Sequence, residues 1–218
     1  MTAKKANPQL NASPSAMYQK DVQRTKSTAF FGPYISRSRL LHYLTLAQQA
    51  AEPLDVIKKS LYYGRNIGEG DAKYPAELSV NIADEKTRDI LHGLLGIITE
   101  AGELAERLAA VLTREGAIGF TDEDVVNIFE ESGDVLWYLA ITADATGLGL
   151  DSIMTANIEK LKGRYPEKFE SSQANERNIE KEQNILKKTL TKETANAKLS
   201  VSDNETLTPK ENENDNEL

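Results

Sequence analysis

Two short stretches of this 218-residue chain carry the same pattern of acids. In "IITEAGELAERL", Ile97 to Leu108, Glu100 and Glu103 stand three residues apart. In "NIFEESGDVLWYLA", Asn127 to Ala140, Glu131 and Asp134 have the same spacing, and in both stretches a glycine directly precedes the second acid. On a helical wheel turning about 100° per residue, Leu94, Ile97, Ile98, Ala101, Leu104, Ala105 and Leu108 form one apolar arc. Glu100 lies at the border of that arc, and Glu103 about 60° further toward the polar side. The second stretch repeats this: Ile128, Phe129, Ser132, Val135, Leu136 and Leu139 form the arc, with Glu131 at its border and Asp134 about 60° outside. If both arcs pack on neighbouring helices, four carboxylates converge on one groove.

Carboxylates about 4 to 6 Å apart in a partly desolvated groove must take up protons or recruit cations. Oxygen donors, with no Cys in the chain and no clustered His, suit a hard divalent ion, Mg²⁺ or Mn²⁺ in its place, better than zinc. The bland alternative is a solvated helix face. Glu103 with Glu106, and Glu167 with Glu170, satisfy the same spacing in a chain with 34 acidic residues, and helix surfaces are ordinarily charged. A third stretch, "NIEKLKGRYPEKF", places Asn157, Lys160 and Arg164 on one helix face and Ile158, Leu161 and Tyr165 on the next. An amide and two cations beside an acidic groove suit a phosphate-bearing ligand bridged by metal. Equally, Lys160 and Arg164 could simply favour the negative end of the helix dipole.

The elements that must carry these residues are helices. Helical periodicity runs through Ser15 to Thr25, Ser38 to Tyr63, Asp84 to Thr113, Thr121 to Thr146 and Asp151 to Arg164, with a more polar sixth segment from Ser172 to Lys188. Thr121 precedes an acidic first turn, Asp151 is placed to cap its helix, and Pro166 forbids extension of that helix. Gly147 and Gly149 punctuate the fourth connection, and Pro53 predicts a break or kink in the second segment. Short connections between long amphipathic helices predict antiparallel neighbours, hence an all-α helical bundle.

The expected organisation is a disordered lead-in over 1–13, a single helical domain over 14–182 and a polar, disordered tail over 183–218, where large hydrophobics almost vanish. A formal charge of −8 argues against sequence-independent binding to a nucleic acid polymer. The N-terminal residues lack the apolar run of a signal peptide, and about 18 consecutive apolar residues occur nowhere. With no cysteine, the expectation is a cytoplasmic protein with no membrane partner.

With these residues assembled, the chain resembles the MazG-like family of all-α nucleoside triphosphate pyrophosphohydrolases, phage and bacterial type. That family is marked by E-x-x-E on one helix and E-x-x-D on the next, here Glu100 and Glu103 in "TEAGEL", then Glu131 and Asp134 in "EESGDVLWY". The third element matches at Asn157, Lys160, Arg164 and Tyr165, and the similarity extends over about Leu54 to Lys187, taking in "DVIKKSLYYGR", "LHGLLGI" and "ANERNIEKEQNIL". Asn178 replaces the acid usual in the last of these, and Ser132 stands where Leu is common; neither touches an implied ligand.

The resemblance implies Mg²⁺-dependent hydrolysis of an NTP or dNTP to a monophosphate and pyrophosphate, by a homodimer or homotetramer whose subunits complete the bundle. On that reading Glu100, Glu103, Glu131 and Asp134 are both catalytic residues and metal ligands. Lys160 and Arg164 hold the outer phosphates, and Asn157 a metal-bound oxygen or the sugar-phosphate. Lys58, Lys59 and Arg65 are further phosphate candidates, with a solvated helix face equally open to them. Trp137 and Tyr138 could stack on a base or pack in the core. His92, about two turns before Glu100, is placed at a core edge or an interface. Two alternatives remain: the same fold acting on phosphoribosyl-ATP or a guanosine alarmone, and a catalytically silent helical interaction module.

Overall fold

A computed structural model describes residues 13–30, 32–66 and 80–205. Among them there is no β-strand. Seven α-helices follow in order: α1 Pro14–Thr25, α2 Arg37–Tyr63, α3 Glu85–Thr113, α4 Asp122–Thr146, α5 Leu150–Arg164, α6 Ser171–Asn175 and α7 Ile179–Glu205. The fold is all-α, and the first five helices lie within a residue or so of the positions read from periodicity. No helix among the described residues is long and apolar enough to cross a membrane.

The stretch read from sequence as one helical domain groups into two compact units. One is Thr28–Leu150; the other combines Met1–Ser27 with Asp151–Leu218. In the first unit α3 is the central helix and packs against both α2 and α4. Its start is capped by Asp84, whose Oδ2 accepts from the Thr87 amide at 2.8 Å. The turn into α4 is locked by a capping box between Thr121 and Asp124. Asp124, fully buried, also accepts two bonds from Arg114, at 2.5 and 2.7 Å. The Arg114 hydrogen bonds hold the Asp124 carboxyl far below the usual carboxylate range. Gly147, at φ +72°, ends α4 in the left-handed conformation that glycine adopts without penalty.

Glycines set how closely α3 approaches its neighbours. A Cβ at Gly96 would overlap the Tyr138 ring of α4, and one at Gly102 would overlap the Ala51 side chain of α2. The glycine before the second acid thus means different things in the two motifs. Gly102 is a packing contact, whereas Gly133 faces open space within its own chain.

In the second unit, Arg24 of α1 donates from Nη1 to the carbonyls of Tyr165, Pro166 and Glu167, at 2.9, 3.3 and 3.2 Å. A cation there satisfies backbone carbonyls of the turn that follows α5. Asp151 lies inside the first turn of α5, not at its cap, and adds negative charge where the dipole is positive.

Of the break or kink expected at Pro53, the break does not occur: α2 continues through it to Tyr63. The sixth segment divides at residues 176–178 into α6 and α7. Helix α7 then continues to Glu205, beyond the expected start of the polar tail, through residues rich in the helix formers Lys, Glu, Leu and Ala. The lead-in up to residue 12 and the last residues, 206–218, lie outside the described residues.

The apolar arcs are also only partly covered by the chain itself. Leu94 and Ile98 of α3 are each 48% exposed, and Phe129 and Leu136 of α4 are 82% and 58% exposed. The buried seam instead carries Gly93, Gly96, Thr99 and Glu100 from α3, with Glu131 and Tyr138 from α4. Close approach along that seam requires small residues, which leaves the larger apolar side chains turned away from it.

Gly102→Ala is expected to lower stability: overpacking of about 1 to 3 kcal/mol outweighs a helix-propensity gain of about 1 kcal/mol. Gly133→Ala, with nothing to meet in its own chain, is expected to leave the melting temperature unchanged or raise it. Thermal unfolding followed by circular dichroism separates the two signs.

Candidate functional site

Helix α3 supplies Glu100 and α4 supplies Glu131 and Asp134; one carboxylate oxygen from each lies within 4.8 Å of the others. Glu100 and Glu131 are buried, at 6% and 5% exposure, while Asp134 is exposed. The wheel's ordering of border and outside positions is therefore the order of burial. Glu103 is exposed and is not one of the three converging acids. It lines a groove of about 290 Å³ between α2 and α3, together with Asp55, Thr99 and Glu106.

Burial pushes the Glu131 carboxyl up, to about 7, and the charges of Glu103, Glu100, Glu130 and Asp134 add to the rise. Burial, then Glu100 and Asp55, raise Glu103 as well. Glu103 thus belongs to the field of the cluster although it stands outside the trio. Glu131 is held in place by Asn127, whose Nδ2 donates to Oε1 at 3.0 Å. Asn127 in turn accepts from Arg107 Nε at 2.8 Å. Three acids sharing one space, two of them removed from water, and no Cys or His among them, form a donor set that fits a hard divalent cation.

Three cations were candidates for phosphate on this unit, and the fold treats them differently. Lys58 is not presented to solvent: it is 2% exposed and its Nζ donates to Thr99 Oγ1 at 2.7 Å and Glu100 Oε1 at 3.0 Å. Lys59 pairs with Asp55 at 2.5 Å, its side chain 41% exposed. Arg65 follows α2 and is exposed.

Beside Lys58 lies an aromatic cluster. The Lys58 ammonium sits 4.9 Å from the centroid of the Tyr138 ring. Tyr138, buried in the core, shares a 3.3 Å hydroxyl contact with Tyr63. His92 stacks on Tyr62, centroids 4.0 Å apart, and meets Trp137 and Tyr138 edge-on. Burial, with the Lys58 charge, lowers the His92 pKa. Trp137 keeps 53% of its surface exposed.

Asn157, Lys160, Arg164 and Tyr165 belong to the second compact unit. Asn157 donates to the Tyr18 hydroxyl at 2.8 Å, Lys160 is half-buried, and Tyr165 is buried. Arg164 makes a two-pronged pair with Glu182, 2.7 Å from Nε and 2.6 Å from Nη2. Arg177 adds a third bond to the same carboxylate at 2.7 Å. These guanidinium bonds hold Glu182 down to about 2.

Sequence reasoning missed Asn127, Arg107, Asp55, Thr99 and Glu182. Asn127 was within reach, since it lies one turn before Glu131 on the same face. The contacts of Thr99 and Arg107 cross between helices and leave no local spacing to read.

Residues 89–169 match the family model described as the MazG nucleotide pyrophosphohydrolase domain. The matched span holds all four motif acids and the "NIEKLKGRYPEKF" stretch. Gene 37 protein of Mycobacterium phage L5 is 33% identical over 81 residues, covering 35% of this chain and 69% of that protein. No solved structure matches the chain at a significant level.

Because Glu131 binds its proton more tightly folded than unfolded, its contribution to stability is complete below the ordinary carboxylate range and is lost as pH rises through about 7. Asp124 and Glu182, both lowered, act in the opposite sense only well below pH 5; within the window Glu103, also raised, adds to the fall, and His92, whose pKa is lowered, opposes part of it. In chelator, the melting temperature is expected to fall between pH 5 and pH 8. Glu131→Gln is expected to flatten that fall, and an unchanged slope in the variant would exclude Glu131 as its source.

Proposed function

The chain belongs to the family of MazG nucleotide pyrophosphohydrolase domains, and from that premise we propose that it cleaves nucleoside triphosphates, NTP or dNTP, between the α and β phosphates. The products are a nucleoside monophosphate and pyrophosphate. The observation that carries the reading is the convergence of Glu100, Glu131 and Asp134. A divalent cation, Mg²⁺ or Mn²⁺, would supply Lewis-acid neutralisation of phosphate charge and a lowered pKa for the attacking water.

Glu100, Glu131 and Asp134 are the residues that hold that cation, and Glu103, at the edge of the same acidic field, is assigned with them. Asn127 keeps the Glu131 carboxylate oriented through their 3.0 Å bond. Glu131 must release its proton to serve, so cation binding strengthens as pH rises through about 7. The exposed face of Trp137, three residues beyond Asp134, offers a surface on which a base can stack. Asn157, Lys160, Arg164 and Tyr165 retain the substrate roles that the resemblance implies, and Lys59 and Arg65 stay phosphate candidates. For Arg164, a nucleotide would have to displace or share the Glu182 pair.

Assembly is the second part of the reading. Phe129, Leu136 and Val126 of α4, with Leu94 and Ile98 of α3, are exposed large hydrophobics on two helices packed together in one unit, and exposed apolar surface can mark an interaction face. A second copy of the chain, giving a homodimer or a homotetramer, is the proposed partner.

Purified protein incubated with Mg²⁺ and the common NTPs and dNTPs is expected to yield monophosphate and pyrophosphate; orthophosphate and diphosphate would exclude this chemistry. Glu131→Gln and Asp134→Asn are each expected to reduce turnover at least 100-fold, on the order expected for lost electrostatic stabilisation, with the helical spectrum unchanged. A substrate panel including phosphoribosyl-ATP and guanosine alarmones separates the nucleotide alternatives. A silent module would show no rise in melting temperature on adding Mg²⁺. Sedimentation is expected to give two or four times the 24.1 kDa chain mass, and Phe129→Glu is expected to shift it toward the monomer.

A further inference from the structure

Lys58 is a strange place to put a positive charge. An ammonium taken out of water is costly unless every proton has a partner. Here each of the three does: Thr99 Oγ1 at 2.7 Å, Glu100 Oε1 at 3.0 Å and Asp55 Oδ1 at 3.1 Å. The Tyr138 ring, 4.9 Å away, closes another side. With its side chain 3% exposed and its donors spent, Lys58 has neither access nor a free N–H for a phosphate oxygen.

We propose that Lys58 is a positioning residue for the acidic centre: its buried ammonium, anchored by Thr99 and Asp55, pins one oxygen of Glu100 so that the carboxylate faces Glu131 and Asp134. This inference rests on the reading of those acids as cation ligands. Three features support it. Thr99 Oγ1 lies 3.1 Å from the same Glu100 oxygen and 2.9 Å from the Gly96 carbonyl, so the anchor is tied to the α3 backbone. Asp55 also pairs with Lys59, so the two lysines and the carboxylates of Asp55 and Glu100 form a neutral set. Glu131 and Asp134 are then the acids of the trio that no Lys or Arg pairs with among the described residues. The anchors come from α2 and α3 and the ring from α4, so the orientation of Glu100 is coupled to the packing of all three helices.

The test is Mn²⁺ binding by calorimetry to the full chain, wild type against Lys58→Met, with KM and kcat measured alongside. Removing a positive charge beside an acidic site should by Coulomb attraction alone tighten Mn²⁺ binding. Loss of positioning predicts the reverse, an affinity weakened at least tenfold with a fall in kcat. Tighter or unchanged Mn²⁺ binding overturns the inference, as does a rise in KM with Mn²⁺ affinity and kcat intact, the signature of a phosphate contact. Should Lys58→Met not fold, Thr99→Ala keeps all the charges and removes the shortest anchor. It is expected to weaken Mn²⁺ binding about threefold, the equivalent of one modest hydrogen bond, and no weakening overturns the proposal. Wild-type protein that binds no Mn²⁺ would overturn the cation reading itself, and this inference with it. Wild-type binding that Glu131→Gln abolishes but Lys58→Met leaves intact would overturn this inference alone.

Discussion

At Gly93 and Gly96 helix α3 has no side chain, and Tyr138 and Thr142 of α4 fill the space that one would need. At Gly102 the same helix admits Ala51 of α2. These close approaches bring Glu100 and Glu131, on different helices, near enough to share one space with Asp134. Packed interiors do not absorb extra atoms cheaply, so the distance between the helices, and with it the spacing of the acids, is set by what is missing from α3. The acidic centre is a consequence of helix packing before it is a matter of charge.

Bringing acids together in a seam that excludes water creates an electrostatic problem, and the chain answers it in two ways. Around Glu100 the answer is a buried cation, Lys58, fully hydrogen-bonded and set over an aromatic ring. Around Glu131 there is an amide donor from Asn127 but, among the described residues, no paired cation, and burial with the neighbouring acids raises its pKa to about 7. One glutamate is therefore compensated by the protein, and the other waits for a proton or a metal ion. That asymmetry separates a centre able to accept a cation from an acid pair that is merely structural.

The same packing choice explains the uncovered hydrophobic surface. A seam built from glycines, threonine, glutamates and one tyrosine leaves Leu94, Ile98, Phe129 and Leu136 pointing away from it and exposed. Helices amphipathic on more than one side need more than one partner, and α2 and α4 between them do not supply enough cover for α3. The family's domain and this exposed apolar surface lie on the same helices, α3 and α4, so whatever covers that surface is expected to act on the site's geometry.

Local chemistry in the sequence determined the helices, because the 3.6-residue repeat, the Asp84 and Thr121 caps and the Gly147 stop act over a few residues. It also determined that Glu100 and Glu131 sit closer to the interior than Glu103 and Asp134, since angle around a helix is a local property. The partners of those acids were not legible. Lys58 stands in the sequence as a phosphate candidate or part of a solvated face, and the partners that bury it, Thr99 and Glu100, are 41 and 42 positions away. The pairing of Arg164 is equally hidden, because Glu182 is 18 positions on, in another helix. Which side of an apolar arc packs within the chain depends on the shape of the facing helix, and no spacing within a single helix encodes that shape. Periodicity places a side chain on a face; only tertiary structure decides what that face meets, and so whether a charge is a ligand, a counterion or a surface.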